Sequence, residues 1–142
     1  MQLMQQLKRL LSIGARQGTS PQPISSSPIP RVTAADVARI VRRDFSADEY
    51  DTVMATLSEY GTGKWEPELA RVRLAALKLA DGSLQKLRAA IELAKCDFRD
   101  ALTAAEYPSH WKRMSQSPKL STQELKQVIN SDSQQYEEWL KR

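Results

Sequence analysis

The stretch Glu66-Pro67-Glu68-Leu69-Ala70-Arg71-Val72-Arg73-Leu74-Ala75-Ala76-Leu77-Lys78-Leu79-Ala80-Asp81-Gly82-Ser83-Leu84 decides the fold. Leu69, Val72, Ala76, Leu79 and Ala80 recur in steps of three and four, the spacing that lines one face of a helix. Pro67 suits a first helical turn, Gly82 suits a left-handed cap past the last one, and Ser83 offers its oxygen to the free amides of the next helix. Downstream, Leu84, Leu87, Ile91, Ala94, Phe98, Ala101, Leu102 and Ala105 continue the helical period as far as Pro108, which disfavours helix at Tyr107. A break this short makes the two arms antiparallel. Ala89, Leu93, Cys96, Ala104 and Tyr107 form a second apolar side, so the second arm reads as the central helix, with Arg88, Glu92, Lys95, Arg99 and Glu106 toward solvent.

Working outward, Thr33 looks like an N-cap for a stripe of Val37, Ile40 and Val41, with Arg39, Arg42 and Arg43 near the end of that helix, where cations suit its dipole. Ser46-Ala47-Asp48-Glu49 has the form of a capping box, followed by Tyr50, Val53, Met54, Leu57 and Tyr60 and closed by Gly61. Four helices are expected, near residues 33–44, 46–60, 66–81 and 83–107. The fold class is all-α, a compact antiparallel bundle with an additional C-terminal helix. That last helix should start at a second capping box, Ser121-Thr122-Gln123-Glu124, and carry Leu125, Val128, Ile129, Tyr136, Trp139 and Leu140. Asn130-Ser131-Asp132-Ser133 interrupts its stripe, so one helix or two short ones fit. The chain divides into a tail over 1–32, a core over 33–108, and a basic connector with the C-terminal helix over 109–142.

The chain has 142 residues and a net charge of +4, unevenly placed. The first 35 residues hold four of the 21 basic residues and none of the 17 acidic ones, so the two balance from Asp36 onward. The core therefore has no net attraction for nucleic acid. A single cysteine excludes an internal disulfide and cysteine-rich zinc modules. No apolar run approaches the length of a membrane span. Residues 2–13 can form a short amphipathic helix, read as a transit segment, a weak surface-binding helix, or an unordered or superfluous start. Residues 17–32, with four prolines and a serine run, read as a linker.

Each candidate for chemistry has a structural counterpart. Gly61-Thr62-Gly63-Lys64-Trp65 has the look of a phosphate loop, but Ser58 and Trp65 stand where that motif needs Gly and Ser or Thr, so a helix–helix turn is the reading. Asp97 and Asp100 lie one turn apart and fit acid–base or hard-metal work; a structural role is preferred, with Lys64 as counter-ion. Cys96 and His110 are too differently placed for a nucleophile pair: a buried thiol on a helix and a residue of an irregular basic segment. Arg73 sits inside an apolar face and should snorkel or take a carboxylate from Glu49, Asp51 or Glu59. The run from His110 through Trp111, Lys112 and Arg113 combines bases with an aromatic ring, as a nucleic-acid contact would, or is a solvated connector. No cofactor or metal ligand set is read.

The segment from Arg71 to Gly82, with Ala94-Lys95-Cys96-Asp97-Phe98-Arg99-Asp100-Ala101-Leu102 and Ala105-Glu106-Tyr107-Pro108, resembles a group of small all-helical bacterial proteins without assigned activity. The resemblance covers Thr33 to Trp111 and implies a helical domain of the bacterial cytoplasm. The expected function is a non-catalytic protein-interaction module: an adaptor, regulator or neutralising partner. A nucleic-acid-associated domain using Arg39, Arg42 and Arg43, or Trp111, Lys112 and Arg113, ranks second. A small carboxylate enzyme built on Asp97 and Asp100 ranks third.

Overall fold

The hairpin folds back where its punctuation requires. In the computed structural model, which describes residues 31–114 and 119–142, the chain turns through two consecutive left-handed residues, Asp81 at φ 49° and Gly82 at φ 78°. Ser83 then caps the next helix by accepting from the Lys86 amide at 3.3 Å. Gly82 is required here twice over, by its φ and because a Cβ would lie 3.2 Å from the Asp44 carbonyl oxygen. The helices are α1 (Ala34–Asp44), α2 (Tyr50–Ser58, entered through the 3-10 turn Ala47–Glu49), α3 (Leu69–Ala80), α4 (Leu84–Cys96), α5 (Phe98–Glu106), α6 (Pro108–Arg113) and α7 (Thr122–Lys141). No strand occurs among the described residues. The expected tail helix over 2–13, most of the linker and residues 115–118 of the connector lie outside them.

The expected single helix over 83–107 is two helices. Asp97 adopts φ −155° and ψ 103°, ends α4, and caps α5 by accepting from the Arg99 amide at 3.0 Å. An extended residue resets the helical phase, so angular positions reckoned across it lose meaning. The second apolar side of the long arm holds only in part: Tyr107 is buried and Leu93 packs on the core, but Ala89 and Cys96 are exposed, and Glu106, expected in solvent, is buried.

The central element is therefore α3, the first arm, which packs against α1, α4 and α5. Val72, Leu74, Ala75, Ala76, Leu77 and Ala80 are all fully buried. Its alanines let three neighbours approach closely, while each buried Leu or Val contributes roughly 1.5–3 kcal/mol. Helix α3 starts at Leu69, two residues later than Pro67 suggested, because Glu68 takes a left-handed conformation at φ 61°.

Two further expectations change. Pro108 opens the short helix α6 instead of an irregular segment, and His110 on it is buried. Helix α7 runs unbroken for 20 residues, capped at Ser121 by the Glu124 amide at 3.2 Å. It lies along α5 and α6, and its end reaches α1, where Arg39 donates to the Leu140 carbonyl at 2.7 Å and Arg43 to that of Trp139. Among the described residues no helix is long and apolar enough to cross a membrane.

Candidate functional site

The loop between α2 and α3 is braced at four points. Tyr60, fully buried, donates its hydroxyl to the Pro67 carbonyl at 2.7 Å. Burial, with Glu66 and Glu68 nearby, pushes that phenol up to about 12. The Glu66 carboxylate accepts from the amides of Gly61 at 3.0 Å and Gly63 at 2.8 Å. The Gly63 amide, ahead of that of Gly61, holds Glu66 below the usual carboxylate range against the opposing effect of burial. These are the amides that a phosphate loop would turn to its ligand, and here the chain's own carboxylate fills them. The turn reading of Gly61–Trp65 thus acquires a mechanism.

The last brace is Arg73. No carboxylate among the described residues lies within salt-bridge distance of it, contrary to the expected pairing with Glu49, Asp51 or Glu59. Its Nη2 donates to the Tyr60 carbonyl at 2.7 Å, and its Nε to those of Leu57 at 3.1 Å and Tyr60 at 3.3 Å. The neighbouring helix does supply the partner, but through the acceptors at its C-terminal end.

On this frame sit two exposed apolar side chains. Trp65 is 79% exposed and Leu69 42%, the two highest values among the large hydrophobic residues described. A Cβ on Gly63 would lie 2.8 Å from the Trp65 ring, and one on Gly61 (φ 116°) 2.6 Å from Leu69 Cδ2. The ring and the leucine therefore rest directly on glycine backbone. Sequence reasoning missed this site because Leu69 fitted the core stripe. Trp65 figured only as a departure from the phosphate motif.

The other singled-out residues are dispersed. Asp97 pairs with Arg99 at 3.1 Å, and chiefly that bond lowers its pKa. Lys64 is exposed and forms no ion pair among the described residues, so it is not the counter-ion of Asp97 or Asp100. Asp100 lies in the first turn of α5. Arg39 and Arg43 are committed to the end of α7, Arg43 also to Asp44 at 2.7 Å and to the face of Trp139. Arg42 stacks over Tyr50 at 5.1 Å. Trp111, Lys112 and Arg113 stay exposed on α6. Cys96 is exposed, not the buried thiol expected, and lies at the end of α4, whereas His110 is buried on α6.

A buried polar group joins α3, α5, α6 and α7. Arg71 grips Glu106 with two bonds, Nε to Oε2 at 2.8 Å and Nη2 to Oε1 at 2.7 Å. Burial pushes the Glu106 carboxyl up, against the pull of Arg71. Asp132 Oδ2 accepts from the amides of Ser109 at 3.0 Å and His110 at 3.1 Å, serving the free amides at the start of α6. Both His110 ring nitrogens, Asp132 Oδ1 and the Tyr136 hydroxyl are buried without a hydrogen-bond partner. No group of three or more His, Cys, Asp or Glu side chains among the described residues is placed to hold a metal ion. Comparison with protein-family profiles, with curated proteins and with solved structures gives no match.

Proposed function

We propose that this protein is a non-catalytic interaction module that holds another protein through Trp65 and Leu69. One observation carries the reading: the most exposed large apolar side chain stands on a loop braced by Glu66, Tyr60 and Arg73. Tryptophan dominates binding energy at protein interfaces, and a loop already fixed loses little freedom on binding. The setting we take to be the bacterial cytoplasm, on the resemblance of Arg71–Gly82 and its continuation. The nucleic-acid reading has less support, since Arg39 and Arg43 are spent on the carbonyls of α7.

The test is affinity capture from the native cell, with and without nuclease, using the wild-type chain and a Trp65→Ser/Leu69→Ser variant. A nuclease-resistant partner should bind the wild type and be lost by the variant, with Kd raised about thirtyfold for a hot spot near 2 kcal/mol. The variant should unfold within about 0.5 kcal/mol of the wild type. A partner retained in full by the variant, or released by nuclease, overturns the proposal.

A further inference from the structure

The seam where α7 lies on α6 differs from every other contact in the fold. Of the four buried side-chain polar atoms without partners among the described residues, three belong to it, His110 Nδ1 and Nε2 and Asp132 Oδ1, while the fourth, the Tyr136 hydroxyl one turn along α7, faces Glu106, Arg71 and Asp36. Buried polar atoms are satisfied almost everywhere in folded proteins, so three on one seam mark a place where packing is held against a standing penalty. The seam also has little apolar area to oppose that penalty. Of the 20 residues of α7 only Ile129, Asp132 and Tyr136 are buried. The main core cluster is drawn from α1 to α5 and the connections between them, and α7 touches it only through the partly buried Trp139 and Leu140.

We propose that this seam is an acid-released latch: as pH falls below neutral, His110 takes a proton and α7 detaches while α1 to α5 stay assembled. The imidazole is 6% exposed and neutral, with no acceptor in place for an added proton. The groups around the seam come from each element packed there. Helix α7 supplies Asp132 and Tyr136, α5 and its end supply Glu106 and Tyr107, α3 supplies Lys78 and Arg71, and α1 supplies Asp36 facing Tyr136. Asp132 attracts a charge on His110, but its Oδ2 is already bonded to two amides, and burial outweighs it, so the imidazole's pKa is lowered.

For a base with a depressed pKa the folded state binds the proton less readily than the unfolded one. The seam is therefore fully stable above about pH 6.5, the free value, and weakens as pH falls from there toward the folded value. Lys78 is lowered chiefly by burial, with Asp132 pulling the other way. Glu106 opposes the trend. Its pKa is raised, so its own contribution grows on acidification from its folded value downward. That effect acts on the Arg71 pair between α3 and α5, whose packing rests on the fully buried Val72, Leu74, Leu77, Ala101 and Ala105.

His110 is the only histidine in the chain, so a single imidazole resonance reports it. The experiment measures that resonance by NMR from pH 8 to 5 on the full chain, beside hydrogen exchange corrected for intrinsic rates. The ring should titrate below about 6.5. Protection of residues 122–141 should fall at least tenfold relative to residues 69–80 between pH 7.5 and 5.5, with the same midpoint. In His110→Gln the loss should disappear. Protection of α7 that follows α3 at both pH values overturns the latch, as does a ring that titrates without any change in α7. So does an acid-dependent loss that persists in His110→Gln; should that variant not fold, the wild-type coincidence of midpoints decides alone.

Discussion

Removing one member of the Arg71–Glu106 pair is the sharpest perturbation the structure offers. The Glu106 side chain is 3% exposed and that of Arg71 17%, and the two charge-assisted bonds measure 2.7 and 2.8 Å. Breaking a buried pair from one side costs about 3–5 kcal/mol, because the other charge stays buried alone. For Glu106→Gln the figure falls to about 2–3 kcal/mol, since the amide keeps one acceptor and Arg71 retains Glu68 at 3.2 Å, itself 47% exposed and so a weak partner. Arg71→Met strands the carboxylate instead, at about 3–5 kcal/mol near neutral pH. A carboxyl with a raised folded pKa stabilises below its ordinary value and loses that contribution as pH rises, so the Arg71→Met penalty should shrink between pH 7.5 and 5. The double variant Arg71→Met/Glu106→Leu removes both charges and should recover most of the loss. Urea unfolding followed by circular dichroism gives the stability of each variant against the wild type, and Glu106→Leu alone completes the cycle with the double. A Glu106→Gln cost below about 1 kcal/mol, or a double variant as unstable as Arg71→Met, would refute the reasoning that desolvation dominates here.

Gly61→Ala should cost about 1–3 kcal/mol by thermal or urea unfolding, since φ 116° is strained for alanine and the new Cβ meets Leu69 and Arg73. Arg73→Met should be nearly as unstable as Arg73→Ala, about 1.5–3 kcal/mol, because both strip the donors from the Leu57 and Tyr60 carbonyls; a Met variant close to wild type would count against it. Asp97→Ala should lose about 1 kcal/mol as a lost cap, and Asp97→Asn clearly less, since Asn caps equally well. Cys96 should react with a thiol reagent in the folded protein at close to the rate of a free cysteine, and a thiol protected until unfolding would contradict its exposure.

How much of this could be read from the chain varies with the kind of signal. The caps at Ser83 and Ser121 and the turn at Asp81-Gly82 were legible because each rests on a local rule. The break at Asp97 was written there too. Asp97-Phe98-Arg99-Asp100 sets a capping residue three before an acid, the same signature used at Ser46 and Ser121, but an unbroken apolar period hid it. Ala101, Leu102 and Ala105 still lie in the core as the stripe required, but the polar side reckoned across Asp97 failed, and Glu106 with it. Counted from Leu102 and Thr103 within α5 alone, Glu106 falls on the inward face. Asp132 follows the same lesson: it lies three after Ile129 and four before Tyr136, on the stripe and not in a gap of it. For the exposed pair, Trp65 had no periodic signal and that of Leu69 pointed to the core, because their position depends on two glycines and a carboxylate that fold the loop back on itself.

Arg73, Arg39 and Arg43 were misread in one common way, and the cause is physical. Each was given an ionic or external partner, a carboxylate or a nucleic acid. Each donates to carbonyls at the C-terminal end of a helix, Leu57 and Tyr60 at the end of α2 and Leu140 and Trp139 at the end of α7, although Arg43 also holds Asp44 and Arg39 lies 3.6 Å from Asp36. The last four carbonyls of a helix lack partners inside it, and that end carries roughly half a negative charge. Such an acceptor belongs to no side chain, so a helical wheel or a charge count cannot display it. Three guanidinium groups are spent on backbone, while Asp51 and Glu59 remain exposed.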